Sequence, residues 1–468
     1  MKAQFGMVGL GTMGRNFLLN VAEHGFTCVG YDLDVTKRDL LVAEGSDFNI
    51  TSAADVAGFA NSLDSPRKIM MLVPAGPIVD SVINDLLPHL HEGDLLIDGG
   101  NSHFTDTERR EALLAEKGIE FLGVGVSGGE EGARHGASIM VGGNPAVYEH
   151  IRPMLEAASA KVNGEPCAAH VGKGSAGHFV KMVHNGIEYG MMQLIAETFD
   201  FMQRSLRMAY PEMYRTFAEW NSGELNSFLI EITADVLRKI DPETGTNLVS
   251  VILDTAGQKG TGKWTSQAAM DLGIPIPTID SAVTMRQISA QKALRKVLSS
   301  TNSGFRASSD AGRSRTSITE LKDALFCSIV LTYAQGISLL QAVSIEKDYG
   351  LDLPEIARIW RGGCIIRSRF LETIRKSYAA NPALESLLLD RSVSDVLAPR
   401  LGSLRKAVVA FNENAIPAAC FSSTLYYLDA FHSERLPANL IQAQRDFFGA
   451  HSYQRTDKEG IFHTPDWK

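Results

Sequence analysis

The sequence predicts an α/β domain, then a large all-α domain and a C-terminal tail. Three observations carry this. Short apolar strands alternate with helical stretches through residues 1–175, the pattern of a mostly parallel sheet covered on both faces. From 176 to 434 the strand pattern nearly vanishes and long amphipathic runs replace it. Beyond Leu436-Pro437, residues 435–468 hold one short helix and a polar stretch with no core pattern. At 468 residues the chain is too long for one ordinary core.

Composition narrows the class. Hydrophobic content of 44% and charged content of 21% describe a soluble globular protein. A net charge of −9 argues against nucleic acid, so any anion site must be a local basic cluster. Cys28, Cys167, Cys327, Cys364 and Cys420 are scattered with no CxxC spacing, against a disulfide framework or zinc site and for a reducing compartment. No apolar run approaches about 18 residues and no signal pattern opens the chain. A cytoplasmic protein with neither membrane contact nor metal is expected.

The first strand, 3–9, runs into Gly9-Leu10-Gly11-Thr12-Met13-Gly14 and a helical pattern from Arg15 to Glu23; a second strand, Thr27 to Tyr31, ends at Asp32. This is G-x-G-x-x-G in its required strand–turn–helix context, with an acid about 20 residues on. The glycines let the backbone approach a dinucleotide pyrophosphate at the positive helix end. A Rossmann-type domain follows. Without a ligand the same motif is a glycine-rich turn.

Further strands are expected at 68–73, 94–98 and 120–126. They end in Pro74-Ala75-Gly76-Pro77, Asp98-Gly99-Gly100-Asn101-Ser102 and Val126-Ser127-Gly128-Gly129-Glu130-Glu131-Gly132. Ligands of open parallel sheets bind beyond the carboxyl ends of the strands, so these loops and the glycine turn outline one cleft.

Next comes one long helix, with Ser175 at its N-cap position and no proline as far as Arg204. Lys181, His184, Asn185 and Glu188 fall at i, i+3, i+4 and i+7, hence on one face. Burying an amine, an imidazole, an amide and a carboxylate is costly unless they meet a polar ligand. Lys181 and Glu188 lie roughly 10 Å apart along the axis, suited to opposite ends of a small molecule. The alternative is a solvated stripe of i,i+4 pairs.

Helical runs are expected at 226–240, 279–299, 317–347, 354–360, 365–379, 400–412 and 418–431. Among them Asp254–Thr265 is a glycine-rich basic loop, and Arg286 stands on a fairly apolar helix. Backbone N–H groups with Lys259, Thr261 and Arg286 would make a phosphate site; a surface loop is the alternative. The last helix, Ala438 to Phe448, carries Arg445, with His451 beyond Gly449, and 452–468 reads as irregular. The stretch 299–316, rich in Ser and Arg, is assigned no role.

Together these pieces resemble the 6-phosphogluconate dehydrogenase family, the decarboxylating dehydrogenases of the pentose phosphate pathway. The likeness runs through Gly9–Gly14, Asp98–Ser102, Val126–Gly132, Gly177–Tyr189, Asp254–Thr265, Trp360–Ser368 (WRGGCIIRS) and Gln442–His451 (QAQRDFFGAH). It implies a homodimer whose tail reaches into the partner subunit. Lys181 would be the general base and Glu188 the general acid. Asn101, Ser127, Gly128, Gly129, His184 and Asn185 would hold the sugar acid. Tyr189, Lys259, Thr261 and Arg286 would hold its phosphate, joined by Arg445 and His451 of the other subunit. Lys181 must start uncharged, through burial and nearby cations such as Lys259 and Arg286. Rival readings are a 3-hydroxyacid dehydrogenase on the same scaffold and a non-catalytic dinucleotide-binding protein.

The coenzyme positions are Gly9, Gly11, Thr12, Met13, Gly14, Asp32, Leu33, Val73, Pro74, Ala75 and Asn101. The family commonly has Asn-Arg-Thr where this chain has Asp32-Leu33-Asp34, and a lysine where it has Pro74. Asp32 can accept from ribose hydroxyls and would repel a 2′-phosphate, and Leu33 offers no guanidinium to one. NAD is therefore expected to be preferred over NADP, with Lys37 and Arg38 as the opposing charges.

Overall fold

The computed structural model describes residues 2–301 and 316–467; most of the 299–316 stretch thus lies outside the described residues. In the first domain the chain forms β1 (Phe5–Val8), β2 (Cys28–Tyr31), β3 (Ile50–Ser52), β4 (Lys68–Met71), β5 (Leu95–Asp98), β6 (Glu120–Ser127) and β7 (Ser138–Gly143). A small hairpin of β8 (Lys161–Val162) and β9 (Glu165–Pro166) follows, then β10 (Ala168–Gly172). The sheet order is β10-β7-β6-β5-β4-β1-β2-β3.

From β1 to β6 all pairings are parallel, so the strand order reverses beside β1, where such sheets bind dinucleotides. β1, β2 and β5 are buried at every position, as strands covered on both faces must be. β7 runs antiparallel to β6, and β10 parallel to β7. β3, β7 and β10 were not expected from the sequence. β3 has only three residues, and the other two end in glycine, which weakens a strand pattern.

The second domain is built around two 29-residue helices, Ala176–Arg204 and Ile318–Glu346. The latter is long and apolar enough to cross a membrane, but 83% of its apolar window is buried in the protein, so it is a core helix. Four expectations need correction. The run 279–299 breaks at Gln291 into helices Pro277–Ala290 and Lys292–Thr301. The run 365–379 is helical only from Leu371, because tight turns precede it, with Gly363 at φ 64°. Helices Tyr210–Asn221 and Thr261–Asp271 were not anticipated. The tail is not irregular: beyond helix Ala438–Gly449 it forms a hairpin of β11 (Tyr453–Gln454) and β12 (Ile461–Phe462).

Candidate active site

Each glycine of the first turn has its own reason. Gly9 has φ 94°, and a Cβ there would stand 2.7 Å from the Leu72 carbonyl oxygen. A Cβ on Gly14 would fall 1.9 Å from the Gly9 carbonyl oxygen, so Gly14 lets helix Thr12–Glu23 close on the strand. A Cβ on Gly11 would meet nothing within 4 Å. That open face at a helix start, beside Thr12 and Met13, fits a dinucleotide pyrophosphate.

At the end of β2, Asp32 is tied into the backbone. It accepts from Leu10 N at 2.8 Å and from Asp34 N at 2.9 Å, with Lys37 Nζ 3.5 Å away. Asp34, not Asp32, caps the following helix. Leu33 is 88% exposed. Arg38 is drawn away to the carbonyl oxygens of Ala53 and Ala54.

Val73, Pro74 and Ala75 follow β4, next to β1, and Asn101 follows β5. A Cβ on Gly100 would sit 2.6 Å from the Val73 carbonyl oxygen, so the two loops touch. Asp98 accepts from Gly100 N and from Ser102 Oγ, which sets the turn where exposed Asn101 takes φ 55°. Sequence reasoning missed Arg110, whose fully buried guanidinium ties these loops together. It donates to Asp98, Ser102, Asp80 and the Gly76 carbonyl. Nothing in its own helical stretch signals that burial.

The long helix lies directly on the sheet. A Cβ on Gly177 would come 2.2 Å from the Gly123 carbonyl oxygen, and one on Gly125 would come 2.4 Å from Lys181 Cβ. Close backbone packing thus brings Lys181 and His184 to the end of β6. There His184 Nε2 is 3.2 Å from Ser127 Oγ. Gly128 and Gly129 follow in left-handed conformations, φ 115° and 62°. Gly128 is pressed on the Gly363 carbonyl, whereas a Cβ on Gly129 would meet nothing within 4 Å. Ser175 holds the N-cap position, but its hydroxyl does not cap; it bonds Glu108 and Tyr349 instead.

All four polar residues share one face, as expected. Lys181 Nζ donates to Asn185 Oδ1 at 2.8 Å and is 3.3 Å from His184 Nδ1. Glu188 Oε2 is 4.0 Å from that same nitrogen. Burial lowers the Lys181 pKa, against the opposing pull of Glu188 and Cys364. It raises Glu188, against the opposing pull of Lys181 and Arg286. His184 is pushed well below its ordinary value by burial and the Lys181 charge. Burial is thus the main cause at Lys181, not the cations expected to help: Lys259 is exposed, and Arg286 acts on Glu188. Trp360 stands edge-on to His184 at 5.6 Å; Trp360 and Cys364 entered the sequence reading only within a longer motif.

Asn185 Nδ2 donates to Thr261 Oγ1 at 3.1 Å. Thr261 starts a helix behind Gly260, which takes φ 105°. A Cβ on Gly262 would lie 2.5 Å from the Tyr189 ring, and the Arg286 guanidinium covers that ring at 3.4 Å. Arg286 also donates to the Gly257 carbonyl. The basic loop, Thr261, Tyr189 and Arg286 therefore adjoin the Lys181 face. Arg445 and His451 do not join it here: the contacts described for them, with Gln442 and Phe448, stay within the tail.

Residues 4–172 match the family described as the NAD binding domain of 6-phosphogluconate dehydrogenase, and residues 177–467 match its C-terminal domain. The chain is 49% identical to the NADP(+)-dependent, decarboxylating 6-phosphogluconate dehydrogenase of Bacillus subtilis (strain 168), covering 100% of this chain and 99% of that one. It is 47% identical to the decarboxylating enzyme of Synechococcus elongatus, with 98% of each covered. The Plasmodium falciparum 6-phosphogluconate dehydrogenase structure, solved apo, with NADP+ and with 6-phosphogluconate, superposes with a TM-score of 0.94. It is 43% identical and covers 99% of this chain and 100% of its own.

Proposed function

The chain belongs to the 6-phosphogluconate dehydrogenase family, and from that premise we infer how its residues perform the family reaction. It oxidises 6-phospho-D-gluconate with reduction of NAD(P) and releases CO2, leaving D-ribulose 5-phosphate. The observation that carries the residue roles is the cluster of buried Lys181 and His184 with half-buried Asn185, beside Glu188 and at a glycine turn open at Gly129.

Lys181, its pKa lowered by burial, takes the proton of the C3 hydroxyl. A coenzyme held by its pyrophosphate at the first glycine turn would supply, through its nicotinamide, the acceptor for the C3 hydride. Lys181, now an ammonium, hydrogen-bonds the new C3 carbonyl oxygen and protonates it as the C1–C2 bond breaks and CO2 departs. Glu188, whose pKa burial raises, then gives a proton to the carbon that lost CO2 while the amine of Lys181 takes the proton back from the C3 hydroxyl, so the enediol becomes the ketone. Ser127, His184 and Asn185 orient the sugar acid, and Asn101 approaches from the coenzyme side. Lys259, Thr261, Tyr189 and Arg286 hold the phosphate.

The same reading divides the chain into a coenzyme domain (1–175), a substrate and dimer domain (176–434) and a tail (435–468) that brings Arg445 and His451 to the partner's site. A cytoplasmic setting accords with five free, buried cysteines. NAD preference is a further proposal. It departs from the NADP described for the two relatives above and rests on Asp32, Asp34, exposed Leu33 and the diverted Arg38. Equimolar CO2 and reduced coenzyme from 6-phosphogluconate, with none from unphosphorylated gluconate, tests the reaction; activity on both equally would refute the phosphate site.

A further inference from the structure

The tail is short, yet it contains one fully buried carboxylate. Asp446 lies between Arg445 and His451 in sequence, and its side chain has 0% exposure. Oδ1 accepts from Ser452 N at 2.8 Å and from His463 Nδ1 at 2.8 Å. Oδ2 accepts from Thr464 N at 3.0 Å and from Trp467 Nε1 at 3.0 Å. One carboxylate thus joins the helix, the turn after it and the returning hairpin. Burial alone would raise its pKa, but these donors outweigh it and hold the group at about 2, so it is charged at neutral pH.

The same network reaches both residues proposed to bind substrate. Gln442 Oε1 accepts from Arg445 at 3.1 Å, while its Nε2 donates to the Ser452 carbonyl at 2.5 Å. Ser452 N is the group held by Asp446. Arg445 and the turn carrying His451 are therefore linked through one pair of side chains. The turn is itself constrained: Ala450 and Ser452 have φ 51° and 56°, and a Cβ on Gly449 would stand 2.7 Å from His451 Nε2.

We propose that Asp446, with Gln442, is a positioning residue that presets Arg445 and His451 as one clamp for the substrate phosphate. This rests on the reading that the tail binds substrate. Side chains ordered in advance lose less entropy on binding, so loosening the clamp weakens capture rather than chemistry. An amide at 446 would set an NH2 group against two of the four donors.

Steady-state kinetics of the full-length Asp446→Asn, Gln442→Ala and Arg445→Ala enzymes tests this. Asp446→Asn should raise KM for 6-phosphogluconate about tenfold, with kcat and coenzyme KM within about twofold. Gln442→Ala should raise it less, and Arg445→Ala at least as much as Asp446→Asn. Unchanged substrate KM in Asp446→Asn alongside a raised KM in Arg445→Ala overturns the positioning role. Unchanged KM in Arg445→Ala overturns the tail reading beneath it. Should Asp446→Asn not fold, Gln442→Ala decides: a wild-type substrate KM there refutes the linkage.

Discussion

Lys181 Nζ stands 3.3 Å from His184 Nδ1, one helical turn along, and both side chains are buried. Two cations cannot share that space. Burial and the Lys181 charge depress His184 well below its ordinary value, so the imidazole is neutral and can receive a hydrogen bond from the amine. Lys181 is then the group whose proton moves.

Removing the amine should abolish the chemistry and leave the coenzyme domain intact. Lys181→Ala is expected to lower kcat by about a thousandfold, the scale of general acid–base catalysis, with coenzyme affinity unchanged. Glu188→Gln should release CO2 but slow product formation, because protonation of the enediol becomes limiting. Coupled assays of reduced coenzyme, CO2 and ribulose 5-phosphate separate these steps; near-normal turnover in Lys181→Ala would assign the base elsewhere.

Glu188 also sets the pH response. Its carboxylate favours the charged form of Lys181 and raises that pKa against burial. Activity requires neutral Lys181, so rate is lost as pH falls through its pKa. Removing the carboxylate lowers that pKa further. The acid limb of kcat/KM for the oxidation step should therefore move to lower pH in Glu188→Gln; a shift to higher pH contradicts the coupling.

A site completed by the partner's tail should be restored by mixing. Lys181→Ala subunits, inactive alone, mixed with Arg445→Ala subunits, which capture substrate poorly, should give heterodimers with the wild-type substrate KM, because one site then contains both wild-type residues. Verified heterodimers without recovery would place Arg445 in its own subunit's site.

Asp32→Asn with Leu33→Arg should shift kcat/KM toward NADP by about a hundredfold, or on the order of 3 kcal/mol, by trading a repulsive carboxylate for a guanidinium. Kinetics of both variant and wild type with each coenzyme checks this. A wild-type enzyme already faster with NADP ends the NAD proposal.

Glu197 lies on the catalytic helix, two turns or so beyond Glu188, and accepts from Cys420 N and Phe421 N. Burial lifts its pKa from 4.5 to about 7. The folded state thus holds a proton that the unfolded state has lost. Stability is full below pH about 4.5, falls as pH rises to about 7, and is flat above, a loss on the order of 3 kcal/mol. Thermal unfolding of Glu197→Gln should show this slope flattened; an unchanged slope would assign it to other groups.

The sequence by itself determined whatever depends on local periodicity. Gly9, Gly11 and Gly14 follow a strand and open a helix, and Lys181, His184, Asn185 and Glu188 share a face at 3.6 residues per turn. Resemblance supplied the roles of Tyr189 and the tail residues. Only the tertiary structure decided which groups lose their water. The long helix rests on β6 and β7 through Gly123, Gly125 and Gly177, and this contact buries Lys181 and lowers its pKa. Arg110 gathers Asp80, Asp98 and Ser102, and Arg286 covers Tyr189, across separations along the chain that no pattern encodes. The tail read as irregular because it is held by one carboxylate with its donors and by a few aromatic contacts among Phe447, Tyr453, Phe462 and Trp467, not by a periodic apolar stripe. Desolvation and long-range pairing are properties of the packed chain, and they set the electrostatics on which the chemistry depends.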